Sequence, residues 1–407
     1  MKPNLPVVFI LITVAIDAMG IGLIMPVMPD LIREVGGSSL AQAAIWGGIL
    51  STSFAVMQFL FGPLLGRLSD VFGRRPVLLI SLVVMAADYL VMSVAGTIWL
   101  LLIGRIVGGI TAATHSTAMA YMADISTPAE KAKRFGLVGA GFGLGFVIGP
   151  ILGGLLAEFG TRAPFLLAAG LTAANALFGA LILPETVDTS VKRRFSWRAS
   201  NPLSSFQALA KFPSIRGLVA VFFLYQLASI VYPVIWAYFT TERFGWSTGM
   251  IGLSLALYGV GMAVVQGALV GPAIKWLGDS RTVILGLAIE LISLLILTFV
   301  TSAFWTLALI PVIALGALGI PALQGFLSRA VPDDQQGQLQ GVLTSVTSVA
   351  MIIGPLIMTQ IFAAFTHGDA ALYLPGAPFL AASVMMLAAL ILFGMITPGA
   401  DRRDSSD

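Results

Sequence analysis

Twelve apolar runs, each about twenty residues or longer, alternate with polar connections along the chain. They cover residues 7–29, 45–66, 76–96, 98–122, 135–157, 164–184, 217–240, 249–272, 281–301, 303–328, 338–364 and 376–398. A helix rising ~1.5 Å per residue needs about 20 residues to cross a ~30 Å hydrocarbon core. Lipid leaves no backbone group to water, so such runs are helical. The pattern predicts an all-α polytopic membrane protein with twelve transmembrane helices. Spans three and four meet almost without polar residues, as do nine and ten.

One polar stretch organises the rest. Gly62–Leu79 reads GPLLGRLSDVFGRRPVLL and sets Arg67, Asp70, Arg74 and Arg75 where two spans meet. A second stretch, GPAIKWLGDSRTVIL, opens at Gly271 and keeps the same spacing from Gly-Pro to Asp279, at an offset of 271 − 62 = 209. Gly136 and Gly149-Pro150 recur as Gly341 and Gly354-Pro355, at 341 − 136 = 205. Half-length repeats of this kind are expected of two-lobed secondary transporters. The expected domains are a six-helix lobe over 1–184, a cytoplasmic loop over 185–216, and a six-helix lobe with a short cytoplasmic tail over 217–407.

Composition agrees with the pattern. Hydrophobic residues make up 58% of the chain and charged residues 10%, against about 25% charged in soluble domains. There is no cysteine and there are two histidines. Disulfides, thiolate chemistry and an all-histidine metal site are excluded. With the N-terminus placed in the cytoplasm, eighteen of the 22 lysines and arginines fall on that side. The positive-inside rule then puts both termini in the cytoplasm. Lys2 precedes an apolar run too long for a signal-peptide core, so a retained first span is expected.

Four ionisable groups lie deep inside spans: Asp17, Asp88, Arg105 and Glu290. Helical rise places them ~15, ~18, ~20 and ~14 Å from the cytoplasmic edge. Charge at that depth is costly and normally faces a protein cavity. Arg105 is the one cation at this depth and must pair with Asp17 or Asp88. The pair is either a structural ion pair that fixes packing or part of a working site. Two acids share one base, which leaves a carboxylate free to carry a proton. Glu290 has no intramembrane cation in its own half and is the second candidate proton carrier. Gln58, Gln226, Gln266, Gln324 and Gln360 accompany these acids, with Tyr225, Tyr232, Tyr258 and Trp236. The glutamines serve as helix-packing glue, or Gln58 and Gln226 with the aromatic cluster Tyr225, Tyr232 and Trp236 suit a polycyclic, partly polar ligand. His115, ten residues after Arg105, is a further polar group inside a span.

The runs AIDAMGIGLIMPVMPDLI (15–32), GRLSDVFGRRPVLLISL (66–82), ADYLVM (87–92), GRIVGGITAAT (104–114), FGLVGAGFGLGFVIGPILGG (135–154), ERFGW (242–246), PALQG (321–325) and QQGQLQG (335–341) carry a family resemblance. The chain resembles the tetracycline/proton antiporters, in the drug/proton antiporter branch of the major facilitator superfamily. The resemblance covers almost the whole chain. It implies the major facilitator fold and export of a drug in exchange for protons. In that family the substrate is usually a tetracycline carried as a chelate of a divalent ion such as Mg2+. The matching positions imply essential acids at Asp17 and Asp88 and a motif arginine at Arg105. They imply gating roles for Asp70 and Arg74, and an antiporter signature at Gly149, Pro150, Gly153 and Gly154. Two positions depart from the family. Met262 stands where it has a histidine in the eighth span, and Glu290 where it has an aspartate in the ninth. His115 stands where relatives usually have a small residue.

The expected site therefore combines Asp17, Asp88 and Glu290 for protons with Asp17, Gln58, Asp88, Arg105, His115, Gln226, Tyr232, Trp236, Met262 and Gln266 for substrate. Asp70, Arg74, Gly149 and Pro150 are the expected gating residues. The expected partners are a small-molecule drug, protons and lipid, with no nucleic acid. The expected setting is a bacterial inner membrane, and the chain is expected to function as a monomer. Two other readings stay open at this point. One is a related exporter of another amphipathic compound, and the other a membrane enzyme or non-transporting sensor. The enzyme reading lacks a metal-ligand set and a nucleophile–base pair, so no catalytic residue and no cofactor are expected.

Overall fold

A computed structural model of the chain describes residues 5–112, 114–187 and 212–396. Most of the central charged loop and both termini lie outside the described residues. Among the described residues, twelve helical spans are long and apolar enough to cross a membrane. We label them α1 (Leu5–Ile24), α2 (Leu40–Phe72), α3 (Arg74–Val94), α4 (Ile98–Asp124), α5 (Pro128–Phe159) and α6 (Ala163–Ile182). The second six are α7 (Pro213–Phe244), α8 (Thr248–Leu277), α9 (Asp279–Phe299), α10 (Ala303–Arg329), α11 (Asp333–Thr366) and α12 (Ala377–Ile396).

Local chemistry sets the ends. α1 stops at Ile24, five residues before its apolar run ends, because Met25–Val27 turn ahead of Pro29. A short helix, Met28–Gly36, follows and ends on Gly37 at φ 57°. α2 and α5 run several residues beyond their apolar cores, since helices continue into water wherever their polar turns are solvated. A capping box between Thr127 and Glu130 starts α5, satisfying two first-turn N–H groups. The breaks between spans three and four and between nine and ten are real. Thr97 caps α4 by accepting the Leu100 N–H, and Ser302 caps α10 by accepting the Trp305 N–H. These two caps stand at 302 − 97 = 205. Prolines lie inside α2 (Pro63), α5 (Pro150), α10 (Pro311) and α11 (Pro355), and α8 contains a π-helical turn over Val265–Leu269.

The chain divides into two compact units. Unit 1 comprises Met1–Ser39, Ile49–Pro202 and Trp246–Ala256, and unit 2 comprises Leu40–Gly48, Leu203–Gly245 and Leu257–Asp407. In unit 1, α1 packs on α5 and α6, and α3 packs on α6 and α4. In unit 2, α7 packs on α11 and α12, and α9 on α12 and α10. The same pairing thus recurs six helices later. The unit 1 core is apolar, built on Phe9, Ile10, Val14, Leu78, Leu82 and Tyr121. One buried amide–hydroxyl bond crosses it, Asn175 Nδ2 to Thr13 Oγ1 at 2.8 Å.

Side-chain clasps join the connections at the end of each unit where α3 and α9 finish. Glu34 accepts from Thr161 Oγ1 and from Arg162 Nη2 (3.2 Å), while Arg162 Nη1 donates to the Ser93 carbonyl at the end of α3 (3.2 Å). In unit 2, Tyr373 donates to Glu242 (2.7 Å) and Arg243 Nε donates to the Val300 carbonyl that ends α9 (3.1 Å).

Candidate functional site

The buried charges of unit 1 converge on α3 and α4. Arg105 Nη2 lies 2.8 Å from Asp88 Oδ2, with side chains 12% and 3% exposed. The guanidinium also reaches Met92 Sδ (2.6 Å) and lies over the Phe54 ring, 5.4 Å from its centroid. Arg105 therefore takes Asp88 as its carboxylate, and Asp17 makes no ion pair among the described residues. Neighbouring spans with a short link bring Asp88 and Arg105 together, whereas Asp17 sits on a helix that packs mainly on α5. The Tyr89 hydroxyl rests against Gly20, one turn beyond Asp17.

Two glycines make room for the Asp88 carboxylate. A Cβ on Gly104 would stand 2.7 Å from Asp88 Oδ1, and one on Gly108 2.8 Å from Oδ2. Among the described residues, Asp88 Oδ1 has no hydrogen-bond partner, and neither has Arg105 Nε. Buried polar atoms of this kind are normally satisfied. Here an ion pair keeps one acceptor and one donor free for a proton, water or ligand.

Unit 2 repeats the arrangement with different groups. Glu290 on α9 is 3% exposed. It lies against Gly316 of α10, where a Cβ would fall on the carboxylate. Tyr225, Tyr232 and Tyr258 lie near it. The Tyr232 and Tyr258 rings stack at 6.1 Å, and Tyr232 leans on Phe379 at 6.2 Å. Gln226 donates to Thr347 Oγ1 at 3.0 Å. Trp236 is buried beside Phe239. Met262 packs with Ala314, Ala317 and Leu318 of α10, on the turns around Gly316. Gln266 is exposed within the π-helical turn of α8, a distortion frequent at functional sites.

The remaining unit 1 residues divide in two. Gln58 is exposed and reaches the Ala112 carbonyl at the break in α4, at 3.4 Å. His115, also exposed, meets Phe142 edge-on at 5.5 Å, and Phe142 stacks on Phe146. Gly149 and Pro150 are buried backbone contacts. A Cβ on Gly149 would stand 2.5 Å from the Met19 carbonyl, and one on Gly154 2.7 Å from the Thr248 carbonyl. Small residues here let α5 meet α1 and the start of α8 backbone to backbone.

The Gly62–Leu79 stretch folds into a charge network. Arg74 lies 2.5 Å from Asp70, 3.2 Å from Asp124 and 2.6 Å from Ser69 Oγ. The Glu185 carboxylate accepts the backbone N–H groups of Arg74 (2.9 Å) and Arg75 (3.2 Å), at the N-terminus of α3. Gly73, at φ 106°, turns the chain there, and any Cβ on it would strike Glu185. Asp124 and Glu185 are partners that the local sequence pattern does not mark. Among the described residues, no group of three or more His, Asp or Glu side chains is placed to hold a metal ion.

Comparison with known proteins agrees with this architecture. The family model of the Major Facilitator Superfamily matches residues 10–235 and 217–406. The chain is 45% identical to the tetracycline resistance protein, class C, of Escherichia coli, over 89% of this chain and 91% of that protein. It is 40% identical to the class G protein of Vibrio anguillarum, over 87% and 89%. It is 29% identical to multidrug resistance protein 2 of Bacillus subtilis, over 94% and 93%. Among solved structures it is similar to the human organic anion transporter MFSD10, with TM-score 0.69, 25% identity and coverage of 97% and 100%. A bacterial homologue of the lysosomal transporter Spinster shares the fold, with TM-score 0.77, 16% identity and 98% coverage of both chains. The chain belongs to the tetracycline resistance proteins of the major facilitator superfamily, and is a multi-pass membrane transporter and not an enzyme.

Proposed function

We propose that the chain exports a tetracycline, carried as a divalent-metal chelate, in exchange for protons by alternating access across a bacterial inner membrane with both termini in the cytoplasm. The observation that carries this reading is the half-satisfied ion pair. Among the described residues, Asp88 and Arg105 neutralise each other while Asp88 Oδ1 and Arg105 Nε stay open, and Asp17 adds a carboxylate that makes no ion pair. Such a group binds a polar ligand edge and a proton in competition. The 45% identity to a tetracycline resistance protein supports the substrate class.

Glu290 is the proton carrier of the second unit. With Met262 in the eighth span, it works without an imidazole partner and draws its surroundings from Tyr225, Tyr232 and Tyr258. Gln58, His115, Gln226, Tyr232, Trp236, Met262 and Gln266 line the substrate path. Asp70 and Arg74 form the breakable part of the gate, and Gly149 and Pro150 let α5 move against its neighbours.

The test is drug uptake into inverted membrane vesicles with an imposed pH gradient, alongside susceptibility of expressing cells to a panel including tetracyclines. Uptake should collapse when the gradient is dissipated. Glu290→Asp should keep gradient-driven accumulation, and Glu290→Gln should lose it while keeping drug binding. Asp70→Asn should impair transport at near-normal expression. Uptake that persists without any ion gradient refutes antiport.

A second reading, export of another amphipathic compound, draws on the His115–Phe142–Phe146 aromatic run and on Met262. These give the path an apolar character suited to a broader substrate set. Resistance to other amphipathic drugs without tetracycline resistance selects it.

A further inference from the structure

Arg74 is the first residue of α3 and Asp124 the last of α4, and their side chains pair at 3.2 Å. One fixed offset along the chain, 279 − 74 = 205 and 329 − 124 = 205, leads to Asp279, the first residue of α9, and Arg329, the last of α10. These two also pair, Arg329 Nη2 to Asp279 Oδ2 at 2.5 Å. The same two helices are tied at the same end in each unit, with the signs exchanged.

We propose that Asp279 and Arg329 form a positioning clamp that stays closed throughout transport, and that the exchanged signs distinguish it from the Arg74–Asp124 pair, which is the one built to open. The inference rests on the proposed export activity, and it holds whether or not Glu290 is the group that carries the proton.

The argument is electrostatic. A helix carries partial positive charge at its N-terminus and partial negative charge at its C-terminus. In unit 2 the acid sits at the N-terminus of α9 and the base at the C-terminus of α10. Ion pair and helix ends reinforce each other. In unit 1 the base sits at an N-terminus and the acid at a C-terminus, so each charge opposes its own helix. Other groups must then hold Arg74 in place. Asp70 and Ser69 share its guanidinium, and Glu185 takes the first backbone N–H groups of α3. Glu185 supplies to α3 from a distance of 111 residues the negative charge that Asp279 supplies to α9 within its own first turn. A cation shared among several acceptors can exchange them one at a time. Asp279 and Arg329 have no such set of alternatives among the ion pairs of the described residues.

Each clamp ties the helix carrying a buried carboxylate to the helix on which that carboxylate rests. Asp88 of α3 rests on Gly104 and Gly108 of α4, and Glu290 of α9 on Gly316 of α10. Asp279 lies eleven residues before Glu290, or ~16 Å along α9. Fixing the end of α9 on α10 fixes the register in which Glu290 meets Gly316. Asp279 and Arg329 are thus positioning residues for transport, far from drug and proton.

The chain has no cysteine, so D279C/R329C gives a clean site for a short bifunctional thiol reagent in purified, reconstituted protein. With the clamp static, cross-linked protein should export at a rate within about twofold of the same variant left unlinked. Arrest of export by the cross-link overturns the proposal. Asp279→Ala and Arg329→Ala should each lower turnover by up to about fivefold, the ceiling for a half-exposed pair, at unchanged drug KM. Arg329→Lys should retain most of the turnover. Full activity in both alanine variants overturns the positioning role. D279R/R329D re-forms the pair against both helix ends and should recover less than half of wild-type turnover, and full recovery overturns the polarity argument. Glu290→Gln is assayed beside them. Wild-type antiport by Glu290→Gln, with the cross-link still tolerated, removes the proton-carrier reading alone and leaves the clamp standing.

Discussion

Replacing Gly108 with alanine tests whether the glycines of α4 exist to seat Asp88. The new methyl would lie 2.8 Å from Asp88 Oδ2 and 3.3 Å from Cγ, with Phe54 3.6 Å away on another side. A carbon–oxygen contact relaxes only at about 3.4 Å, so the carboxylate must retreat by roughly half an ångström. That retreat stretches the 2.8 Å bond to Arg105 towards the limit of a hydrogen bond. Overpacking of this kind costs about 1–3 kcal/mol. Alanine gains about 1 kcal/mol over glycine in a helix, so the net loss of stability should lie between zero and about 2 kcal/mol. Export should fall far more than stability, because the ion pair is displaced at the proposed site.

Gly170 in α6 supplies the control. It is exposed, and a Cβ there meets nothing within 4 Å. Gly170→Ala should be neutral or stabilising by up to about 1 kcal/mol, with export unchanged. Both variants are measured by thermal unfolding in detergent and by drug uptake into inverted vesicles. Wild-type export by Gly108→Ala refutes the seating argument. An equal loss of export in Gly170→Ala refutes it too, since the effect would then belong to helix glycines in general.

Arg105→Ala leaves the Asp88 carboxylate buried without its cation and should cost about 3–5 kcal/mol and abolish export; an unchanged melting temperature would contradict the pairing. The Glu34 clasp carries a pH dependence of definite sign. Thr161, hydrogen-bonding to the carboxylate, is the main cause that holds Glu34 below its ordinary range, with Arg162 adding to it. A group lowered on folding stabilises above its unfolded pKa and loses that contribution as pH falls through the folded value. The Glu34 side chain is 47% exposed, so solvent screening keeps the contribution under about 1 kcal/mol. The melting difference between wild type and Glu34→Gln should be present at pH about 7 and vanish well below the ordinary glutamate range near 4.3; a difference that is constant over that interval would rule the clasp out as its source.

The helices, their number and the repeat were legible because lipid forces backbone satisfaction into continuous apolar runs. The candidate acids were legible because charge at mid-span is costly enough to stand out. Depth, however, carries no azimuth. Asp17 and Asp88 sit at nearly the same estimated depth, and only the packing of α3 on α4 decides which one meets Arg105. The partners of Arg74 were hidden for a related reason. Asp124 and Glu185 lie 50 and 111 residues away along the chain, and no local pattern points to them. The offset of 205 that relates the glycines and prolines of the two halves also relates Arg74 and Asp124 to Asp279 and Arg329. The short helix Met28–Gly36 went unmarked because only its first two residues fall in the 7–29 run and the rest carry Asp30, Arg33 and Glu34, which read as a polar connection.

Charge balance links the two carboxylate seats. Asp17, Asp88 and Arg105 sum to one net negative charge in unit 1, and Glu290 alone gives one in unit 2. Under the proposed antiport, each unit is neutral when it holds one proton or one positive charge of the cargo. A buried site tolerates movement best when neutral, because an uncompensated charge in a low-dielectric interior resists any rearrangement that exposes it to lipid. The cation in unit 1 also separates the two seats in kind. Asp88 takes a proton on the open Oδ1 while Arg105 sits on Oδ2, and the neutral acid then holds Arg105 less firmly, so loading there is coupled to the ion pair. Glu290, ringed by tyrosines and resting on Gly316, makes no ion pair among the described residues. The unit with the built-in counter-ion is therefore the one suited to sense cargo, and the unit without it the one suited to carry the driving proton.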